Sequence, residues 1–201
     1  MKALITLALL ILATASSRAQ GEVLFLNGQI IFATVADRFV YITGDPGGPP
    51  SAKLVGTNFV AGLYYMPGAD QNMQSPTAGT QAGALAMFRA PTTSSPGVWN
   101  NGAAGNSRTL DGVAVGSFAT LQVRVWDVTK YGTFAQAFAA GEYGWSQPFN
   151  FRAPVLGDPT TAAYMEGLRA FVTNVRLIPE PSALALGVLG LVGLFALRRR
   201  K

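Results

Sequence analysis

The chain has 201 residues, with 15 lysines and arginines against 10 aspartates and glutamates, and its formal net charge is +5. It contains neither cysteine nor histidine, which excludes disulfides, Ser–His–Asp or Cys–His catalytic arrangements and zinc sites of the usual Cys/His kind. Residues 20–178 carry nine basic and nine acidic side chains, so the excess positive charge lies outside them and no basic face for nucleic acid is expected.

Residues 1–19 are typical of a secretory signal peptide. A basic start precedes an apolar run over residues 3–15. Small residues at Ser17 and Ala19 then occupy the positions that a signal peptidase requires. Cleavage is expected after Ala19, with cleavage after Ala15 as the alternative.

Residues 20–178 are predicted to fold as one exported domain. Short apolar runs alternate with clusters of Gly, Pro, Thr, Ser and Asn, which indicates an antiparallel β-sandwich, jelly-roll or immunoglobulin-like, of about eight strands. Strands are expected at residues 22–26, 38–42, 58–66, 84–89, 119–128, 145–152 and 169–177. Glycine and proline predict loops at residues 44–50, 67–81 and 91–106.

The strand at residues 119–128 has the clearest alternation of apolar and polar residues. One face carries Leu121, Val123 and Val125, and the other carries Gln122, Arg124 and Trp126. Because successive side chains in a strand point to opposite faces, this pattern predicts one face in the core and one mixed face.

One short helix is predicted at residues 133–140. Thr133 is the expected N-cap, Phe134 and Phe138 form an i,i+4 apolar pair, and Gly141 is the expected C-terminal stop. A further helical turn is expected within residues 161–167.

Two carboxylates are the candidates for catalysis in the domain. Asp127 and Glu142 flank the predicted helix, and a carboxylate pair can hydrolyse glycosidic bonds. The alternative is that Asp127 ends a strand and Glu142 is solvated. Nine carboxylates bring some pairs together by chance, so no catalytic residue is assigned.

Aromatic residues are the candidates for binding sugar. Trp126, Tyr131 and Tyr143 are the expected contacts, with Trp99 and Trp145 as further members. Trp126 shares a strand face with polar residues, which favours partial exposure. The alternative is core packing, since aromatic side chains bury large areas.

Four aspartates in predicted loops carry oxygens that calcium prefers. They are Asp45, Asp70, Asp111 and Asp158. Aspartate beside glycine or proline more commonly makes turns. No metal or cofactor is therefore assigned.

Residues 179–201 combine a rigid acidic motif, an apolar segment and a basic stub. Pro179 and Pro181 fix their own φ and disfavour helix in the preceding residues, so Glu180 is expected in an extended stretch. As a helix, residues 182–197 would be about 24 Å long, against a hydrocarbon core of about 30 Å. The stub consists of Arg198, Arg199, Arg200 and Lys201. A basic stub stays cytoplasmic as a stop-transfer signal, which predicts a single pass through the inner membrane with the domain on the periplasmic side.

This arrangement resembles the PEP-CTERM sorting signal of bacterial exported proteins. The resemblance implies that an exosortase, a membrane transpeptidase, recognises Pro179, Glu180 and Pro181 and cuts near them. The alternative is an ordinary single-pass anchor that follows a proline-rich linker.

The middle of the chain resembles exported PEP-CTERM proteins of verrucomicrobial type. The residues that carry this likeness are Val123-Arg124-Val125-Trp126-Asp127 and Gly144-Trp145-Ser146-Gln147-Pro148-Phe149. This second resemblance implies architecture and location and no biochemical activity.

These features predict a non-enzymatic protein with a structural or adhesive role at the cell surface or in the extracellular matrix. The expected partners are the secretion machinery, signal peptidase, exosortase, membrane lipid and extracellular polysaccharide. The alternatives are a carbohydrate-binding module and a glycoside hydrolase that uses the carboxylate pair.

Overall fold

The computed structural model describes residues 20–28, 36–43, 50–154 and 163–174. All of them belong to the predicted exported domain. The predicted signal peptide, residues 1–19, and the predicted sorting tag, residues 179–201, lie outside the described residues.

Twelve strands and one α-helix form the regular structure of the described residues. The first six strands are β1 (Gln20–Leu24), β2 (Val40–Thr43), β3 (Pro50–Lys53), β4 (Phe59–Pro67), β5 (Thr80–Gln81) and β6 (Ala86–Phe88). The remaining six are β7 (Trp99–Asn100), β8 (Ser107–Ala114), β9 (Phe118–Asp127), β10 (Tyr143–Trp145), β11 (Phe149–Arg152) and β12 (Phe171–Thr173). The helix α1 spans Phe134–Ala140, and a single 3-10 turn spans Gly102–Ala104.

Strand β9 is the centre of a large sheet. It pairs antiparallel with β4 along its length, from Phe59 opposite Asp127 to Pro67 opposite Ala119. On its other side it pairs with β10 and β11. The strand order is β3-β2-β12-β10-β9-β4-β6-β7, with β5 also paired to β4. The pair β12–β2 is parallel, which makes the sheet mixed and is the exception to the expected antiparallel pairing.

A second sheet, formed by β1 and β8, covers one face of the large sheet. Val23 of β1 and Leu110 of β8 join one core cluster with Leu63 of β4 and Val123 of β9, and all four are 0 % exposed. Burial of a side chain of this size contributes about 1.5–3 kcal/mol. The predicted mostly-β, sandwich-like architecture is confirmed.

The opposite face of β9 is also covered, by α1 and by the segment over residues 68–79. Trp126 packs edge-to-face on Phe134 of α1, with ring centroids 5.9 Å apart. Thr120 accepts a hydrogen bond from the Gln71 N–H and donates one to the Gly68 carbonyl. The predicted division of β9 into two faces is confirmed, but both faces are buried.

Arg124 is the largest polar side chain on this covered face, and it is 0 % exposed. Its guanidinium donates to the carbonyls of Ser75, Pro76 and Ala78 and to the Gln122 Oε1, at 2.8–3.0 Å. It also lies 4.2 Å from the ring centroid of Tyr64. Burial lowers the pKa of Arg124 to about 10, so the side chain keeps its charge at neutral pH while it holds the 75–78 turn on the sheet.

The helix α1 forms as predicted at residues 133–140. Thr133 Oγ1 accepts from the Gln136 N–H and Gln136 Oε1 accepts from the Thr133 N–H, which is a complete capping box. Gly141 ends the helix with a φ of 73°, a left-handed conformation that favours glycine. A helix this short depends on packing, and Phe134 and Ala137 supply it against the sheet.

Strand β8 has no counterpart among the predicted strands. Its inward positions include Arg108, which is 3 % exposed. The guanidinium donates to the carbonyls of Ala84, Gly105 and Ser107 and to the Asn101 Oδ1. An arginine at an inward position disguises the alternation that identifies a strand, because the pattern assumes that inward residues are apolar.

Further predictions differ from the structure in detail, since the loops expected at residues 67–81 and 91–106 contain the short strands β5 and β7. The strand expected at residues 145–152 is divided into β10 and β11, since Pro148 has no N–H for the ladder. The loop expected at residues 44–50 ends in edge strand β3, whose first residue is a proline. Residues 163–167 hold a bridge at Tyr164 and a turn where a helical turn is expected.

Candidate functional site

The sorting residues can be related to the domain only through the chain that joins them. Strand β12 ends at Thr173, and Asn174 is followed by four residues before Pro179. An extended chain spans at most about 3.6 Å per residue, so Pro179 lies within about 18 Å of Asn174. The residues Pro179, Glu180, Pro181, Arg198, Arg199, Arg200 and Lys201 themselves lie outside the described residues.

Trp126 is buried, so the expectation of its partial exposure is wrong. Its side chain is 1 % exposed and belongs to a core cluster with Val60, Phe134 and Ala137. Its indole N–H donates to the Tyr131 carbonyl at 3.1 Å. The polar neighbours that suggested exposure, Gln122 and Arg124, are themselves buried under the 68–79 segment.

Three other aromatic side chains form a half-buried cluster beside this core, and we call Phe138, Tyr143 and Trp145 the aromatic patch. Their ring centroids are 4.6, 5.3 and 5.4 Å apart. Phe134 supports all three from below, at 5.6–6.2 Å. The patch therefore has a buried base and an accessible upper surface.

The sequence identifies Tyr143 and Trp145 as candidates but not Phe138. Phe138 is predicted only as a packing partner of Phe134 in the helix. Its place in the patch depends on how α1 lies against β10, which helical spacing does not reveal. Tyr131 is half-buried and packs against the same core cluster.

The two candidate catalytic carboxylates are both held in local contacts. Asp127 is 2 % exposed and accepts hydrogen bonds from Asn58 Nδ2, the Thr129 N–H and the Thr129 hydroxyl, at 2.6–2.9 Å. Glu142 forms a 3.0 Å ion pair with Lys130. Lys130 lies in the turn between Asp127 and α1, and its ion pair with Glu142 brings the two acids into the same region of the structure.

The environment of Asp127 favours its ionised form. Burial raises the pKa of its carboxyl, but the hydrogen bonds from Thr129 and Asn58 and the charge of Lys130 outweigh burial, so the pKa lies below its ordinary value. A general acid in glycoside hydrolysis needs a raised pKa. Asp127 therefore lacks the property of a proton donor and acts as the organiser of the 127–131 turn.

Asp127→Asn should lower the free energy of unfolding by about 1–3 kcal/mol at neutral pH, since three hydrogen bonds to a charged acceptor are weakened. A depressed folded-state pKa contributes stability above the ordinary value of about 3.9 and loses it as the pH falls through the folded value. The difference in free energy of unfolding between wild type and variant should therefore become smaller below about pH 4. Urea unfolding from pH 7 to pH 3 measures it.

Asp111→Asn, on the exposed side of β8, is the control for this experiment. Surface substitutions of this kind change stability by less than about 0.5 kcal/mol. A gap between wild type and Asp127→Asn that stays constant down to pH 3 would contradict the depressed pKa.

Of the four aspartates considered for calcium, two are described: Asp111 lies in strand β8 and not in the expected loop, and Asp70 makes a loop contact. Asp70 and Asn150 form two hydrogen bonds, one from the Asn150 Nδ2 to the Asp70 Oδ1 at 2.8 Å and one from the Asp70 N–H to the Asn150 Oδ1 at 2.9 Å. Within residues 20–28, 36–43, 50–154 and 163–174, no three acidic side chains form a group that could hold a metal ion. Asp45 and Asp158 lie outside these ranges.

Comparison with known proteins assigns the C-terminal segment. Residues 177–201 match the family model of the PEP-CTERM protein-sorting motif. No curated protein and no solved structure matches the chain. Among the described residues, no helix is long and apolar enough to cross a membrane, and the predicted span at residues 182–197 lies outside them.

The matched segment contains the Pro179-Glu180-Pro181 motif, the apolar stretch and the basic stub. This motif implies export and recognition by an exosortase. The chain therefore carries a PEP-CTERM protein-sorting motif at its C-terminal end, and this motif implies an exported protein that an exosortase processes for sorting to the cell surface.

Proposed function

We propose that the exported domain is a non-enzymatic surface protein with an adhesive role, and that it binds neutral carbohydrate through the aromatic patch. The observation that carries this proposal is the clustering of Phe138, Tyr143 and Trp145 within 4.6–5.4 Å of one another on a buried aromatic base. The apolar C–H face of a sugar ring removes apolar surface from water when it lies on such rings.

The patch also offers hydrogen-bond donors. Among the described residues, neither the Tyr143 hydroxyl nor the Trp145 indole N–H has a hydrogen-bond partner. A half-buried donor of this kind gains by pairing with a ligand hydroxyl. Apolar rings with a few convergent polar groups are the usual composition of a small-molecule site.

The contacts of Asp127 and Glu142 support a non-catalytic role for the domain. Asp127 accepts hydrogen bonds from Thr129 and Asn58, and Glu142 forms an ion pair with Lys130. Asp127 is 2 % exposed and accepts three hydrogen bonds from the protein, so little of its carboxylate is accessible to a substrate. This favours adhesion over glycoside hydrolysis.

The route to the surface is part of the proposal. Signal peptidase releases residues 1–19, and residues 182–197 hold the protein in the inner membrane as a single pass. The basic stub keeps its end cytoplasmic, which places the domain on the periplasmic side before the exosortase acts.

A sedimentation assay with insoluble cellulose and with the extracellular polysaccharide of the producing cells tests the adhesive role. Tyr143→Ala should weaken retention about tenfold, which corresponds to about 1.4 kcal/mol. Phe118→Ala is the matched control, because Phe118 is an aromatic residue that is 48 % exposed elsewhere on β9. Equal retention of wild type, Tyr143→Ala and Trp145→Ala would refute the proposal.

A further inference from the structure

A pocket lies away from the aromatic patch and shares no residue with it. This pocket of about 420 Å³ opens between the end of β3, the residues before β2 and the loop that leads into β7. Its polar wall consists of Lys53, Arg89, Ser94 and Ser95, and Phe39 and Trp99 belong to its apolar wall. The volume is within the range of small-molecule sites, about 300–1,000 Å³.

The walls of this pocket are fixed by backbone contacts around Gly97. The Gly97 N–H donates to the Leu54 carbonyl at 2.9 Å, and the Gly97 carbonyl accepts from the Val40 N–H and from Asn27 Nδ2. A Cβ at Gly97 would lie 3.0 Å from the Phe39 Cβ and 3.2 Å from the Lys53 Cβ. Glycine here lets the loop approach β2 and β3 closely and closes the pocket on that side.

The charge of the pocket is one-sided. Among the residues that the structure describes, two cations and two hydroxyls line it, and no carboxylate does. Neither Lys53 nor Arg89 has an acidic partner in the part of the chain that the structure describes, and the Lys53 ammonium lies 3.4 Å from the ring centroid of Phe39. Residues 20–178 as a whole carry no net charge. The excess of positive charge is therefore specific to this pocket.

We infer that this pocket binds an anionic sugar unit, with its carboxylate or sulfate group between Lys53 and Arg89. The guanidinium and ammonium supply charge-assisted hydrogen bonds to the acidic oxygens. The two serine hydroxyls pair with hydroxyls of the sugar ring. The domain then has two sites: this pocket, which is selective for acidic polysaccharide, and the aromatic patch, which binds neutral sugar.

Titration calorimetry of the full chain in detergent tests this site with two matched ligands. An oligogalacturonide carries free carboxylates, and its methyl ester has the same rings without the charge. The acid should bind saturably and the ester at least about tenfold more weakly. Binding of the acid should weaken with added salt, because exposed charges are screened. A sulfated galactan oligomer distinguishes a carboxylate site from a general anion site.

Lys53→Gln and Arg89→Gln should each weaken binding of the acid about tenfold. Arg152→Gln, at an exposed arginine of β11, should leave it unchanged. Thermal melting checks that the variants fold, and Arg89→Gln decides the matter if Lys53→Gln does not, because Arg89 is exposed. No saturable binding of the carboxylate or sulfate ligand, equal binding of acid and ester, or an equal loss in Arg152→Gln would overturn the inference.

Tyr143→Ala separates this site from the aromatic patch. It should leave binding of the oligogalacturonide unchanged while it reduces retention on cellulose. If Tyr143→Ala removes binding of the acid and the Lys53 and Arg89 variants keep it, the acidic sugar lies on the patch and the pocket is not its site.

Discussion

Arg124→Met should lower the free energy of unfolding by at least about 3 kcal/mol. Methionine fills much of the volume but cannot donate, so the part-buried carbonyls of Pro76 and Ala78 lose their guanidinium donor, while the Ser75 carbonyl keeps only the Ala78 N–H. Replacing a buried ion pair by apolar residues can be neutral when both partners are changed. Here the acceptors belong to the backbone and cannot be replaced. In a domain of this size the melting temperature should fall by roughly 6–12 °C.

Arg152→Met is the control for Arg124, because Arg152 is exposed and donates a hydrogen bond to the Gly116 carbonyl. Its loss should cost less than about 1 kcal/mol. Urea unfolding of the two variants compares them directly. Equal small effects would show that the 75–78 turn does not depend on the guanidinium.

Glu180→Ala should abolish processing and leave the full-length form with the membrane. The PEP-CTERM motif is the feature that the exosortase recognises, and Glu180 is its charged residue, held between two prolines that restrict the backbone. Mass spectrometry of the cell-associated and released forms measures the result. Release should fall at least about tenfold, as expected when a recognition contact of about 1.4 kcal/mol or more is lost.

Asp111→Ala is the control for Glu180, since it removes an acidic side chain from the exposed side of β8 and leaves the tag intact. It should be processed at the wild-type rate. The short distance from Asn174 to Pro179, at most about 18 Å, also predicts that the folded domain lies near the membrane when cleavage occurs. Release of Glu180→Ala at the wild-type rate would show that the exosortase does not recognise Glu180.

The elements that could be predicted are those whose local pattern agrees with their packing. Strand β4, strand β9 and helix α1 appear within two residues of their expected bounds, because alternation and capping are local properties. Strand β8 could not be predicted, since a charged residue, Arg108, occupies an inward position, where its guanidinium is satisfied by the carbonyls of Ala84, Gly105 and Ser107 and by the Asn101 Oδ1. Trp126 shows the opposite error. Its polar neighbours on β9 predicted exposure to solvent, but Gln122 and Arg124 are buried together with it.

The aromatic patch and the pocket also differ in how much of each can be recognised from the sequence. Tyr143 and Trp145 are visible in the sequence because they are close together and aromatic. The pocket with Lys53 and Arg89 cannot be identified there, because Lys53 ends strand β3, Arg89 follows strand β6, and the two line one pocket only in the folded domain. Proximity of this kind depends on sheet order and on one loop conformation.

The sequence by itself determined where this protein goes. Sorting signals are contiguous stretches that a processing enzyme or the secretion machinery reads in extended or membrane-inserted form, so Pro179, Glu180 and Pro181 need no fold to be identified. Only the tertiary structure decided which aromatic and charged side chains of the domain are accessible. Accessibility is a sum over neighbours from distant segments, and for β9 those neighbours are α1 and the 68–79 segment, which bury a face that local alternation assigns to water.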